Sequence, residues 1–165
     1  MNSIGKQPEP SSNIEWKQWA KTDPLFGIST LSGREKDGSN PWTQEDFYAY
    51  GELIWSEYFP AWERYGVSTE SCLEIGCGAG RITRQLVSVF RSVSAIDISP
   101  EMIELARRNV ADADFTVSDG KSVRYPDSYF TAAFSCEVFQ HFDKRDFAAV
   151  YFREIFRVLM PGGGR

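Results

Sequence analysis

Residues 72–86 read CLEIGCGAGRITRQL and carry the strongest indication of the fold. They place three glycines two residues apart, Gly76, Gly78 and Gly80, between an apolar run and an amphipathic run. Glycine lets a backbone bend tightly and approach a ligand closely, and the first turn of a following helix offers free N–H groups. The stretch therefore predicts a strand, a turn and a helix that hold a ligand. By itself the glycine triplet is weak evidence, and its third glycine comes one residue too early for the dinucleotide fingerprint GxGxxG.

The residues after Gly66 alternate between strand and helix patterns. Apolar runs predict strands at residues 71–76, 92–97, 114–119 and 129–136, and amphipathic runs predict helices at residues 81–90, 99–110 and 137–160. Ser99 and Pro100 suit the cap and the first position of the second helix. This alternation predicts an α/β fold, a Rossmann-like parallel sheet flanked by helices, because right-handed crossovers place helices on both faces.

The residues before Gly66 predict a different kind of structure. Residues 1–12 are polar and carry two prolines, which predicts a flexible tail. Residues 13–66 predict a helical arm whose last helix opens at Thr43 and has a break or kink near Pro60. All five tryptophans lie in this aromatic-rich arm. They either fix the arm to the body by burying large flat surfaces, or one or two of them wall a ligand site.

Composition and charge exclude several classes of function. The 165 residues suit one domain, and no apolar run approaches the roughly 20 residues that a membrane-spanning helix needs. The N-terminus lacks a basic region followed by an apolar one, so a cytoplasmic location is expected. A net charge of −5 argues against a nucleic-acid partner, which would require a basic face. The three cysteines lack zinc-site spacing, so we expect reduced packing residues and no metal.

Three acidic residues stand near the ends of the predicted strands. Glu74 lies two residues before the first glycine, Asp97 ends the second strand and Asp119 ends the third. A carboxylate at the second position can accept both hydroxyls of a ribose, and one at the third can accept an exocyclic amine. Each acid also has a local alternative role. Glu74 suits a turn cap and Asp97 suits a helix cap, whereas Asp119 suits an anchor for the loop that follows.

Five short segments, taken in order, carry a family resemblance. They read LEIGCGAGR, AIDISPEMIELAR, SDG, FSCEVFQHF and REIFRVLMPGGG. Over residues 71–164 they resemble the successive signatures of the class I S-adenosylmethionine-dependent methyltransferases. The resemblance implies S-adenosylmethionine as cofactor, a small-molecule methyl acceptor and a strand order of 3-2-1-4. Residues 67–165 would then form part of the cofactor-binding core, and residues 13–66 its cap.

The resemblance also implies a role for each matching residue at the cofactor. The methionine end would meet the glycine turn, and Glu74 would hold its amino group directly or through water. Asp97 would bind the ribose, while the adenine would meet a residue beside it and a loop after the third strand. Arg81 lies near the cofactor site in related sequences, and a solvated helix position is its alternative. The residues expected to touch the cofactor are Glu74, Gly76, Cys77, Gly78, Gly80, Arg81, Asp97, Ile98, Asp119, Gly120 and Cys136.

Two residues after the fourth predicted strand are candidates for catalysis. Methyl transfer from a sulfonium is an in-line displacement, so alignment and desolvation supply most of the rate. A hydroxyl or ammonium acceptor also needs a base, and His141, the only histidine, lies where this fold places its acceptor pocket. Glu137 is the second candidate. A packed histidine and a solvated first-turn acid are the respective alternatives.

The end of the sequence raises a rival function. The family carries a seven-stranded sheet, and RVLMPGGG normally leads into the fifth strand, but only Arg165 follows here. We therefore expect a core truncated after the fourth strand and its helix, and self-association through the open edge at residues 129–135. A cofactor-binding or interaction module without turnover is the alternative to an enzyme. SCEVF replaces the Asn/Asp-Pro-Pro-aromatic signature of nucleobase-amine methyltransferases, which argues against that branch.

Overall fold

The computed structural model describes residues 10–143 and 145–162. The arm contains three helices, α1 (Ser11–Thr22), α2 (Pro24–Ile28) and α3 (Gln44–Arg64). The remaining elements are β1 (Ser71–Ile75), α4 (Thr83–Val89), β2 (Ser92–Asp97), α5 (Pro100–Asn109), β3 (Asp114–Val117), β4 (Ala132–Phe134), a 3₁₀ helix (Phe139–His141) and α6 (Arg145–Val158).

The four strands form one parallel sheet in the order β3-β2-β1-β4, as predicted. β1 lies at the centre, where Leu73 stands opposite Ser94 of β2 and Ala133 of β4. The cap and first position of α5 are also as predicted, since the hydroxyl of Ser99 accepts the N–H of Met102 at 3.3 Å. Because all four strands run in one direction, their carboxyl ends meet at the same edge of the sheet.

The two faces of the sheet pack against different helices. Alternation along β1 sends Leu73 and Ile75 into a cluster with Tyr151 and Val158 of α6. Cys72 points to the opposite face, where it joins a cluster that includes Leu86 of α4. This second face also receives α3, whose Trp55 and Trp62 rings lie 5.8 and 5.3 Å from the ring of Phe134. These two tryptophans fix the arm to the body.

The arm differs from the prediction at its start and near Pro60. Most of the predicted tail, residues 1–9, lies outside the described residues, but α1 already begins at Ser11. A contact far along the chain explains this start, because the Asp143 carboxylate accepts the N–H of Ser11 at 2.7 Å. α3 continues through Pro60 to Arg64 without a break. Within the described residues, no helix has both the length and the apolar character that crossing a membrane requires.

The segment from residue 114 to 160 departs most from the predicted pattern. β3 ends at Val117, and β4 covers only residues 132–134. The helix predicted for residues 137–160 is interrupted, because Glu137 has a φ of +57° and α6 begins only at Arg145. A left-handed backbone cannot continue a right-handed helix. After α6, Leu159 pairs with Phe130, so the segment just before β4 already has a neighbour on its outer side.

Candidate functional site

A cavity of about 300 Å³ lies at the carboxyl ends of the strands. Its walls come from the loops that follow all four strands and from α1, α3, α6 and the segment after α2. The volume lies at the lower end of the range for small-molecule sites, which is roughly 300–1,000 Å³. The parallel sheet thus places its cavity where open α/β folds bind their ligands.

The glycine turn forms the floor of this cavity and is tied to the end of β2. The N–H groups of Gly76 and Cys77 both donate to the carbonyl of Ile96, at 2.8 and 3.1 Å. Gly76 and Gly78 have positive φ angles of 74° and 51°. A Cβ on Gly78 would lie 2.8 Å from Cδ1 of Ile28. Glycine is therefore required here both for the backbone conformation and for the close approach of the arm.

Asp97 lies at the end of β2 with its carboxylate in the cavity wall. One oxygen accepts the N–H of Gly78 and the other accepts the N–H of Ser99, each at 2.9 Å. Burial raises the pKa of Asp97, and these backbone donors oppose the rise. Each carboxylate oxygen has two lone pairs, so the pair retains capacity for two further donors. Ser99 supplies the side-chain cap of α5, which leaves Asp97 available to a ligand.

Glu74 is buried behind the glycine turn rather than in the cavity wall. It is 3% exposed, and it accepts the hydroxyl of Thr83 at 2.6 Å. The pKa of Glu74 is raised to about 7, mainly because the carboxyl group is buried. The hydrogen bond from Thr83 stabilises the carboxylate and opposes this rise. Glu74 therefore links β1 to the first turn of α4. Its predicted contact with an amino group stays a prediction.

Asp119 anchors the loop after β3. Its carboxylate accepts the N–H groups of Lys121 and Ser122, each at 2.9 Å. Burial works against the charged form, but these donors outweigh it and lower the pKa of Asp119 to about 2. The loop-anchor alternative is thus realised in the structure, and Asp119 is not among the residues that line the cavity. Its contact with an adenine amine stays a prediction.

Two further residues of the glycine turn serve packing. The Cys77 side chain joins a core cluster with Ile103 and Phe115, so its backbone is the part that remains near the cavity. A Cβ on Gly80 would lie 3.3 Å from atoms of Ala106 and Val110. Gly80 therefore allows α5 to pack closely against the turn.

Arg81 and Glu137 face each other across the cavity wall. Nη2 of Arg81 lies 3.7 Å from Oε2 of Glu137. The Arg81 side chain is 5% exposed, whereas that of Glu137 is 55% exposed. Burial lowers the pKa of Arg81, and the neighbouring Glu137 opposes that change. Of the two alternatives for Arg81, the structure places it in the wall and not on a solvated helix face.

The N-terminal helix α1 forms a wall that the motifs did not predict in detail. The ring of Trp16 packs edge-on against His141, with centroids 4.9 Å apart, and both residues line the cavity. The amide nitrogen of Asn13 lies near Gly120, 2.9 Å from the position of a Cβ there. Trp16 is thus a tryptophan that walls the site, whereas Trp55 and Trp62 fix the arm. No spacing signal in the sequence pointed to Asn13.

Most of the predicted site residues come together in this cavity. Glu74, Cys77, Gly80 and Asp119 are the ones outside its lining. Those that line it are Gly76, Gly78, Arg81, Asp97, Ile98, Gly120, Cys136, Glu137 and His141.

Comparison with known proteins gives a consistent family. The methyltransferase domain family matches residues 73–164, which is more than half of the chain. The fatty-acid O-methyltransferase of Mycolicibacterium smegmatis is 32% identical over 101 residues, which cover 59% of this chain and 36% of that protein. The malonyl-[acyl-carrier protein] O-methyltransferase of Serratia marcescens is 32% identical over 94 residues, covering 57% and 36%. The chain thus spans about a third of the length of these curated relatives.

Solved structures agree on the fold. Phosphoethanolamine N-methyltransferase 1 of Haemonchus contortus, solved with phosphoethanolamine and S-adenosylhomocysteine, superposes with a TM-score of 0.69 at 16% identity. The match covers 91% of this chain and 29% of that one. A SAM-dependent methyltransferase of Methanosarcina mazei gives a TM-score of 0.56 at 30% identity, covering 63% and 54%.

The cavity suits the cofactor of that family. Gly76 and Gly78 leave room where a side chain would fill the turn, and Asp97 offers carboxylate oxygens to adjacent hydroxyls. The resemblance read from the sequence is therefore confirmed. The chain belongs to the methyltransferase domain family, whose methyl donor is S-adenosylmethionine.

Proposed function

We propose that the protein transfers a methyl group from S-adenosylmethionine to a small organic molecule bound in the same cavity. The main support for this proposal is that one cavity is lined both by the glycine turn and Asp97 and by a second set of polar groups near the end of β4. The first set suits a nucleoside. The second set consists of Glu137 and His141 after β4, with Arg81 beside Glu137, and lies beyond the residues that a nucleoside needs.

The chain's own residues would hold and orient the donor. Asp97 would accept the two ribose hydroxyls, and Ile98 would lie against the adenine, which Gly120 and Asn13 border. The backbone of the glycine turn and of Cys136 would line the methionine end. When bound, the cofactor supplies an electrophilic methyl group on a sulfonium. The surrounding walls exclude water, which favours an in-line displacement.

The names of the relatives favour an oxygen acceptor. Two of the relatives described above are O-methyltransferases, one named for a fatty acid and one for a malonyl group on a carrier protein. His141 and Glu137 stay the predicted residues at the acceptor. If the acceptor carries a proton, His141 is its base. Nε2 of His141 lies 3.1 Å from the amide nitrogen of Gln140. An amide N–H donates, so this contact favours the tautomer of His141 in which Nε2 is the acceptor.

A transfer assay tests the proposal. The chain is incubated with S-adenosylmethionine labelled on its methyl group and with a panel of carboxylic acids, alcohols and amines of similar size. We expect label in at least one organic product and equimolar S-adenosylhomocysteine. Binding of S-adenosylmethionine without transfer to any acceptor would contradict the proposed enzyme and support a cofactor-binding module.

We also propose that the chain self-associates through β4. Backbone groups on alternate residues of a strand face the same neighbour. The N–H of Phe130 donates to the carbonyl of Val158, and its carbonyl accepts the N–H of Met160. The outward-facing backbone groups of Ala132 and Phe134 have no such strand partner among residues 10–143 and 145–162. Light scattering is expected to give a dimer mass that falls to the monomer mass in Ala132→Pro. A wild-type monomer at high concentration would contradict this proposal.

The cytoplasmic location and the lack of a nucleic-acid partner stay predictions.

A further inference from the structure

The guanidinium of Arg81 is a buried charge that the fold satisfies only in part. The residue is 4% exposed, and its Nε and Nη1 atoms have no hydrogen-bond partner among the described residues. A buried charge without full pairing destabilises a fold, because neither water nor a partner compensates it. Such an arrangement suits a site that an anion completes.

Glu137 is a weak partner for this charge. Its carboxylate lies 3.7 Å from Nη2 of Arg81, beyond the roughly 2.7–2.9 Å of a charged hydrogen bond. Its side chain is 55% exposed, so it can exchange Arg81 for water at little cost. The rings of Phe47 and Tyr50 lie 5.3 and 5.5 Å from the guanidinium carbon and add only cation–π attraction. Another anion can therefore displace the Glu137 carboxylate from Arg81.

The position of Arg81 separates it from the nucleoside end. Glu137 follows β4 and Gly120 follows β3, and these strands form opposite edges of the described sheet. Three strand spacings, about 14 Å, separate the two edges. Since Asp97, Ile98 and Gly120 lie on the β2 and β3 side, Arg81 is close to the other end of the cavity. A molecule that meets Arg81 therefore approaches the β4 side.

We propose that Arg81 receives the carboxylate of the methyl acceptor, which displaces Glu137. This inference rests on the proposed methyl transfer and names its substrate class as a carboxylic acid with an apolar body. Arg81 is the only lysine or arginine among the described residues that line the cavity, so it matches one negative charge. A phosphate monoester carries a second negative charge near neutral pH, for which the described lining offers no second cation. Apolar side chains that line the same cavity, including Ile28, Leu31, Val138 and Phe142, suit a hydrocarbon body.

This substrate class fits the chemistry of the cavity. Transfer to a carboxylate oxygen forms an O–CH3 bond and breaks the S–CH3 bond, and the sulfur keeps the electron pair. The anionic acceptor and the cationic donor become a neutral ester and a neutral thioether. No proton moves, so a carboxylate needs no base. Arg81 then orients the acceptor, and one of the two carboxylate oxygens remains available for attack.

Calorimetry with defined probes tests this assignment. Octanoate and octan-1-ol are titrated into the chain saturated with S-adenosylhomocysteine, for the wild type, Arg81→Met and Glu137→Gln. Arg84→Met is the matched control, because Arg84 is an exposed arginine in the first turn of α4. We expect octanoate binding to weaken about 10- to 100-fold in Arg81→Met and to strengthen severalfold in Glu137→Gln. Octan-1-ol binding changes little in either.

The outcomes separate this inference from the proposed function. If the wild type fails to bind S-adenosylhomocysteine, the proposed function itself is wrong. If the cofactor product binds but octanoate does not, or if octanoate is insensitive to both substitutions, only the Arg81 assignment is overturned. A loss of S-adenosylhomocysteine affinity in Arg81→Met, with octanoate unaffected, assigns Arg81 to the cofactor's carboxylate and also overturns it. Tighter octanoate binding in Glu137→Gln supports the assignment even if Arg81→Met does not fold, because misfolding cannot strengthen binding.

Discussion

Replacing Asp97 with asparagine is expected to weaken the binding of S-adenosylhomocysteine about 100-fold. The two carboxylate oxygens each accept one backbone N–H at 2.9 Å and would each take one ribose hydroxyl. An asparagine retains only one oxygen, and its NH2 group would oppose one of the backbone donors. Losing hydrogen bonds to a charged group costs about 1.5–3 kcal/mol each, so a loss of about 3 kcal/mol follows. Isothermal titration calorimetry measures the change.

Asp112→Asn is the matched control for this substitution. Asp112 is an exposed acid between α5 and β3, outside the cavity lining, and its replacement removes the same charge. We expect wild-type affinity for the control. Thermal unfolding of both variants shows whether Asp97→Asn remains folded. If a folded Asp97→Asn binds S-adenosylhomocysteine as tightly as the wild type does, the ribose assignment is wrong.

Replacing Glu74 with glutamine is expected to change how the free energy of unfolding depends on pH. Burial raises the folded pKa of Glu74 to about 7 from an ordinary value of 4.5. Between these values the folded state binds more protons than the unfolded state, so this group lowers stability as pH rises through the window. The pKa difference corresponds to about 3 kcal/mol at pH 8. Glutamine keeps an oxygen for the Thr83 hydroxyl and does not ionise.

Urea unfolding at pH 5, 6, 7 and 8 measures this effect. The stability advantage of Glu74→Gln over the wild type should grow by about 2.5 kcal/mol from pH 5 to pH 8, because a small part of the effect is already present at pH 5. Burial also raises the pKa of Asp97, and the Asp97 charge is one of the causes that raise the pKa of Glu74, so the comparison measures Glu74 together with its interaction with Asp97. Glu70→Gln is the control, because Glu70 is exposed and pairs with Arg91 at the surface. Parallel pH profiles for Glu74→Gln and the wild type would show that Glu74 is not buried as an acid.

Local signals predicted the glycine turn and the start of α5. Gly76 and Gly78 indicate a turn because glycine readily adopts a positive φ, and both have a positive φ in the structure. Ser99 and Pro100 start α5 because their own chemistry favours a helix N-terminus. The strand order followed from the family resemblance, and the position of Asp97 followed from the end of a strand pattern that is local in sequence. These features therefore required no knowledge of tertiary contacts.

The parts that failed depend on contacts between distant segments. The early start of α1 needs Asp143, which is 132 residues away from Ser11. The interruption before α6 needs the left-handed backbone of Glu137, a residue that no propensity places there. Asn13 and Trp16 reach the cavity only because α1 packs beside it. Asp119 anchors its own loop through the backbone N–H groups of Lys121 and Ser122, which a strand pattern does not show, and its contact with the cofactor stays a prediction.

A crystal structure of the chain with S-adenosylhomocysteine would show whether the cavity at the carboxyl ends of the strands is the cofactor site. We predict electron density for the ligand in the cavity, with both ribose hydroxyls donating to Asp97, the adenine between Ile98 and Gly120, and the sulfur facing the β4 side. Density for the ligand elsewhere on the protein, or in the cavity with Asp97 out of hydrogen-bond reach of the ribose, would contradict the account.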